Sequence, residues 1–393
     1  MRVRAFYARF SLLLTGVVAL LLTLCLSSCQ TLGYYSQAVG GQIGVWRAAE
    51  PIDELLGDEQ TDPALRSRLE LVSDIRSFAA DELALPDDGS YRRYADLKRP
   101  YVVWNVFAAP AFSLEPVTWC FPVAGCVGYR GYFSEEGAQK FADGLRERGF
   151  DVYVGGVAAY ATLGWFDDAV LNTFIDYRDV RLAQLIFHEL AHRVAYAPGD
   201  TTFNESFATT VELEGVRRWL MQSGRSEEMA GFELARSRQQ QFVELVMRTQ
   251  TRLQALYEED ISDEEMLERK VATYTALREE YAVLKRSWGG YTGYDNWFAA
   301  SLNNAKLGSV AAYNQLVPAF QRLLADSGGD LAAFYAEVAA MAKLPEEERR
   351  ARLGETVPRQ PELAGGASGA AALSLFSDGK RIVSGKPTGM GEV

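Results

Sequence analysis

The sequence predicts an α+β fold that is mainly helical, with a small mixed sheet ahead of a long helical remainder. Two observations lead there: short runs between 101 and 165 are aromatic and β-branched, as strands are, and from 181 onward apolar residues recur at helical spacing. The 393 residues are 48% hydrophobic, enough for a substantial core in one large domain or two to three ordinary ones.

In chain order, Gly33 to Leu56 reads as a spacer leading into a helix, and Asp62 to Leu83 as a helix that Thr61 or Asp62 caps. Tyr101 to Phe107 has strand composition, and Glu135 to Gly149 is an amphipathic helix that Gly149 ends. Asp151 to Val157 and Ala159 to Trp165 read as two short strands around Gly155 and Gly156. Arg181 to Ala197 is apolar on nearly every side, so this helix belongs inside the fold. Pro198, Gly199 and Asp200 break it, and a second helix opens near Phe203 and runs to about Met221. From Ser226 to Lys285 a charged stretch has the period of one or two long, partly exposed helices, read as a coiled arm. Tyr291 to Ala340 is helical again with an interruption at Gly328 and Gly329, and from about Gly365 the Gly, Ala and Ser content predicts a disordered tail.

The start of the chain has the makings of a secretory signal: Arg2 and Arg4, an apolar run from Phe10 to Leu26, then Ser27, Ser28 and Cys29. The Leu-Ser-Ser-Cys ending resembles the bacterial lipobox, which implies cleavage before Cys29 and a lipid on it. Gln30 in the next position points to the outer membrane. The alternative is a single transmembrane anchor. Cys120 and Cys126 then remain for the folded part, with Pro122 and Gly125 to turn the chain between them, and in an oxidising periplasm a disulfide is expected. A net charge of -12 without a basic stripe argues against nucleic acid as a partner.

The chain's two histidines stand four apart in His188-Glu189-Leu190-Ala191-His192. On a helix this HExxH spacing puts both imidazoles on one face, within reach of one metal ion, and leaves the carboxylate beside the open coordination position. Catalytic zinc takes three protein ligands and a water. With no third histidine, the remaining ligand is an Asp, Glu or Cys, and Glu205, Glu212 and Glu214 lie on the next helix.

The HELAH helix followed by Asn204-Glu205-Ser206-Phe207-Ala208 resembles the gluzincin metallopeptidases, notably aminopeptidases with an NEGFA-type second motif. That resemblance implies Zn2+ held by His188, His192 and Glu205, with Glu189 as general base and Glu212, seven residues on, as an acceptor orienting an imidazole or as the alternative ligand. The gap from His192 to Glu205 is shorter than in those families, which keeps Glu212 open, and Glu205 has a structural alternative as a capping box with Thr202. A longer resemblance, from about Tyr34 to Arg349 and including WCFPVAGCVGYRGYF, VAAYATLGWFDD and LIFHELAH, is to bacterial lipoproteins described as predicted aminopeptidases.

Together these imply a signal peptide at 1–28, a lipidated N-terminus and spacer at 29–60, a zincin-like metallopeptidase domain at 61–360 with the helical arm at about 226–285, and a tail at 361–393. The expected substrate is a peptide or protein, with the membrane reached through the lipid. Gly155 to Gly164 is the expected edge strand for an extended substrate. Asp167 and Asp168 either recognise a substrate amine or cap the next helix. An oxyanion donor is expected among Tyr291, Tyr294 and Tyr313. Asn303 and Asn304 serve the site or bridge helices. An endopeptidase of envelope quality control and a non-catalytic zinc-binding scaffold are the other readings.

Overall fold

A computed structural model describes residues 33–121, 125–159, 162, 166–311 and 316–354. The signal sequence, Cys29, most of the segment 159–165, Tyr313 and the tail from 361 lie outside the described residues. The fold is α+β and mainly helical, as expected. Residues 33–48, inside the stretch read as a spacer, form helix α1, which is a unit of its own. The second unit begins at Ala49. No helix among the described residues is long and apolar enough to cross a membrane.

The second unit opens with β1 (Ala49–Pro51), α2 (Ile52–Gly57) and α3 (Pro63–Asp81). Asp62 caps α3 by accepting from the N–H groups of Ala64 and Leu65, and Pro63 at the first helical position has no N–H to leave unpaired. β1 pairs antiparallel with β2 (Arg93–Ala95), which pairs parallel with β8 (Val170–Leu171), so this small sheet is mixed. A second sheet has the order β6 (Tyr129–Tyr132), β3 (Val103–Pro110), β7 (Phe150–Val157), all antiparallel. Between its strands lie the hairpin β4 (Trp119–Phe121) and β5 (Gly125–Val127), in which Cys120 faces Cys126 in the register, and helix α4 (Glu135–Arg146), capped by Ser134.

Helices α5 (Asp179–Ala191) and α6 (Thr201–Gln222) follow and pack on each other. Gly215 permits their close approach, because a Cβ there would meet the Phe187 ring at 2.8 Å and Leu83 Cδ1 at 2.9 Å. On the other side of α6, Phe203 and Phe207 stack with Phe320 of α11 (Val317–Asp326) and Phe207 with Phe334 of α12 (Leu331–Met341), an aromatic core that keeps α6 dry along most of its length.

The charged stretch from 226 forms two helices, α7 (Met229–Tyr257) and α8 (Asp263–Ser287), whose shared apolar stripe is covered by Trp297 and Phe298 of α9 (Asp295–Ala299) and Leu307 and Val310 of α10 (Asn304–Ala311). Lys270 of α8 ties this hairpin to the sheet through the Asp151 carboxylate and the Ala111 carbonyl, each at 2.7 Å. Asn304 joins the same pieces. Its Nδ2 donates to the carbonyls of Pro110, Ala111 and Ser113, and its Oδ1 accepts from the hydroxyls of Tyr257 and Tyr274. The polar pair Asn303-Asn304 therefore bridges elements, since Asn303 Nδ2 also donates to the Val152 carbonyl.

Asn304 has no exposed surface, so removing its amide strands several buried donors and acceptors at once. Asn304→Ala is expected to lose roughly 2–4 kcal/mol of unfolding free energy in a denaturant titration. A loss below about 0.5 kcal/mol, the range of ordinary surface changes, would show that the hub holds nothing together.

Candidate metal centre

Helix α5 carries Leu182, Leu185, Ile186, Phe187 and Leu190 into the core, and that burial takes His188 and Glu189 down with it; His192 is its C-terminal cap residue. The chain turns at Pro198 and Gly199, whose φ of +86° suits glycine. It re-enters α6 under two polar clamps. Asn204 grips the turn by both edges of its amide, accepting from Ala197 N–H at 2.7 Å and donating to Ala197 C=O at 2.9 Å. Asp200 caps α6 by accepting from Phe203 N–H at 3.0 Å, while its other oxygen takes Arg349 of α13 (Glu346–Arg352) at 2.9 Å. Both members of that ion pair are buried.

Because Asp200 is the cap, Thr202 and Glu205 do not form a capping box, and the Glu205 side chain turns toward the histidines. His188 Nε2 lies 3.1 Å from His192 Nε2 and 3.2 Å from Glu205 Oε2, and His192 Nε2 lies 3.7 Å from that same oxygen. All three residues are buried. Four-coordinate zinc with bonds of about 2.0–2.1 Å sets its ligand atoms roughly 3.3 Å apart, so this triangle has the edges such an ion needs.

The protonation pattern agrees. Glu212 Oε2 stands 3.0 Å from His188 Nδ1, so Nδ1–H donates to it and, in the neutral ring, Nε2 is left with a lone pair pointing at the other two donors. Gln184 Nε2 approaches the second Glu212 oxygen at 3.5 Å. Both Nε2 atoms and the Glu205 carboxylate thus converge on one buried point, where they could hold a metal ion. The metal-free titration reflects the same field. Burial pulls the His188 imidazole down, but Glu205 and Glu212 outweigh it and push it up to about 10. Burial raises the Glu205 carboxyl, yet the two imidazoles hold it at about 2.

Glu189, one residue beyond the first histidine, points elsewhere. Its Oε2 is buried with no hydrogen-bond partner among the described residues, and burial pushes the carboxyl up to about 7. Asp168 and Tyr91 are among the groups whose titration is coupled to it. Asp168 is half-buried, its two oxygens each accepting the Thr162 N–H at 3.1 Å. It caps no helix, since β8 follows it and Arg178 precedes α5.

The structure therefore brings His188, His192, Glu205 and Glu212 into direct contact, with Glu189 beside them, and leaves others aside. Glu214 pairs with Arg217 and Arg218. Tyr294 stacks on Phe242 at 4.4 Å and Tyr291 lies over the Arg238 guanidinium at 4.3 Å, so these two belong to the aromatic packing of the α7–α8 hairpin. Sequence reasoning passed over Asp200 and the Asn204 clamp. The signal was present in the Asp-Thr-Thr-Phe spacing of an N-cap, but Arg349 lies 149 residues away and nothing local announces it.

His188, His192 and Glu205, buried together on two packed helices, form a group that could hold a metal ion. The family model described as "Putative aminopeptidase" matches residues 33–353, and the chain belongs to that family. No curated protein and no solved structure matches it.

The geometry separates the two candidate carboxylates. Glu205→Gln is expected to lose its divalent ion on dialysis, whereas Glu212→Gln keeps the ion with affinity about 10- to 100-fold weaker, because only the orienting bond to His188 is lost. Metal analysis of the two variants checks this, and full retention by Glu205→Gln would reassign the third ligand.

Proposed function

We propose that this protein is a zinc-dependent aminopeptidase of the bacterial cell envelope, anchored by lipid on Cys29 at the outer membrane and facing the periplasm. The observation that carries the reading is the convergence of His188, His192 and Glu205 on one buried point, with the Glu189 carboxylate left outside that group. His188, His192 and Glu205 would hold the zinc. When bound, the ion supplies Lewis acidity, which polarises the scissile carbonyl and makes water more acidic.

The remaining work falls to the chain. Glu189 accepts a proton from the attacking water as the water oxygen bonds to the carbonyl carbon. When the carbon–nitrogen bond breaks, Glu189 passes that proton to the leaving amine. Burial raises its carboxyl above the ordinary carboxylate range, which helps it return the proton. Glu212 keeps His188 in one tautomer and one orientation. Strand β7, terminal in its sheet, offers main-chain groups to an extended peptide. In an oxidising periplasm Cys120 and Cys126, opposite each other in the hairpin, close a disulfide.

Asp168 favours a free amine in the substrate. The carboxylate forms no ion pair with a described residue, the neighbouring Arg193 being engaged by Asp88 at 2.5 Å. Burial pushes Asp168 up to about 6, so an incoming ammonium would relieve an uncompensated charge. An endopeptidase would have no use for that group, and a zinc-binding scaffold would have none for Glu189.

Purified full-length protein is expected to bind about one zinc and to hydrolyse unblocked peptides, and Glu189→Gln is expected to keep the zinc and lose on the order of 10²–10⁴-fold in kcat. Unchanged turnover in that variant would remove the mechanism. N-acetylated peptides should be poor substrates, with the preference for free amines shrinking in Asp168→Asn. Equal rates on blocked and free peptides would instead identify an endopeptidase.

A further inference from the structure

Tyr91 sits in the turn before β2 in a conformation that a bulky side chain avoids. Its φ is +59°, in the left-handed region, which strains a bulky residue. The surroundings hold it there. Its N–H donates to the Asp168 carbonyl at 2.6 Å, the Asp168 N–H donates to Ser90 Oγ at 3.3 Å, and Arg76 donates to the Ser90 carbonyl at 2.7 Å. Asp88, in the same turn, is clamped by Arg193, the residue after His192. The turn is thereby fixed directly to the HExxH segment.

The ring that this backbone delivers is only 3% exposed, and its hydroxyl makes no hydrogen bond with any described residue. Among charged groups, Glu189 acts on it most strongly, followed by Asp168. A nearly buried ring whose hydroxyl is hydrogen-bonded to no described residue, on a strained turn tied to the HExxH segment, is a donor kept ready for a group that arrives later.

We propose that Tyr91 donates a hydrogen bond to the scissile carbonyl oxygen as that oxygen gains negative charge, a role that rests on the peptidase reading above. Burial and the adjacent Glu189 carboxylate keep the phenol protonated, as a donor requires. The role sought among tyrosines downstream of the zinc helices thus falls to one upstream of them.

Tyr91→Phe isolates the hydroxyl, because ring and backbone stay and no bond in the resting protein is broken. The full-length variant is expected to keep one zinc, the wild-type unfolding temperature and a KM within about twofold, while kcat falls about 10²–10³-fold. Calorimetry with a phosphinic dipeptide, whose tetrahedral phosphorus carries the anionic oxygen, supplies a readout independent of turnover. Its affinity should fall in parallel for Tyr91→Phe, in the Glu189→Gln background as well. Wild-type turnover and wild-type phosphinate affinity in Tyr91→Phe would overturn the proposal, as would loss of zinc or of stability, which would make the hydroxyl structural. If the zinc-loaded wild-type protein cleaves no peptide, the peptidase reading itself fails and takes this role with it.

Discussion

The close packing of α5 against α6 is the constraint on which the rest depends. Two imidazoles from one helix and a carboxylate from the next must converge to within hydrogen-bonding distance of one another. The fold imposes that convergence with ordinary means. Gly215 lets the helices approach, the phenylalanines of α6, α11 and α12 press them together, and the Asn204 amide fixes the length and path of the turn between them. The same packing that stabilises the fold thus also prepares a group that could hold a metal ion.

The two polar shells divide the tasks. Glu212 and Gln184 behind His188 govern which ring nitrogen faces the centre, and they lie on the same two helices, so orientation and ligation move as one body. On the other side, the turns 87–91 and 166–168 are joined to each other and to Arg193, and they carry the groups that approach the centre without belonging to it. The long α7–α8 hairpin contributes to neither shell. It is attached through Asn304 and Lys270 to the sheet, and its charge pattern serves solvation of its outer face.

How far the sequence could be read depended on how local the physics was. The helices announced themselves by apolar period and by their end signals: Asp62 before α3, Gly149 after α4, the break at Pro198-Gly199-Asp200. His188, Glu189 and His192 were legible because four residues of helix fix their relation, and Glu205 through its Asn-Glu-x-Phe-Ala context. The choice between Glu205 and Glu212 was not legible, since both lie on one face of α6 and only the coordinates tell that one meets Nε2 and the other Nδ1. Tyr91 was illegible for a stronger reason. Its place at the site comes from a positive φ and from contacts to residues far along the chain, and neither leaves a trace in composition or spacing.

The buried pair between Asp200 and Arg349 sets an order of events. The acid that opens α6 is completed by a guanidinium 149 residues further along, in a helix near the end of the described chain. Until that helix has been synthesised the acid lacks its partner, and the start of α6 is unsettled. Convergence of His188, His192 and Glu205 is therefore a late step, complete only once nearly all of the described chain has been made.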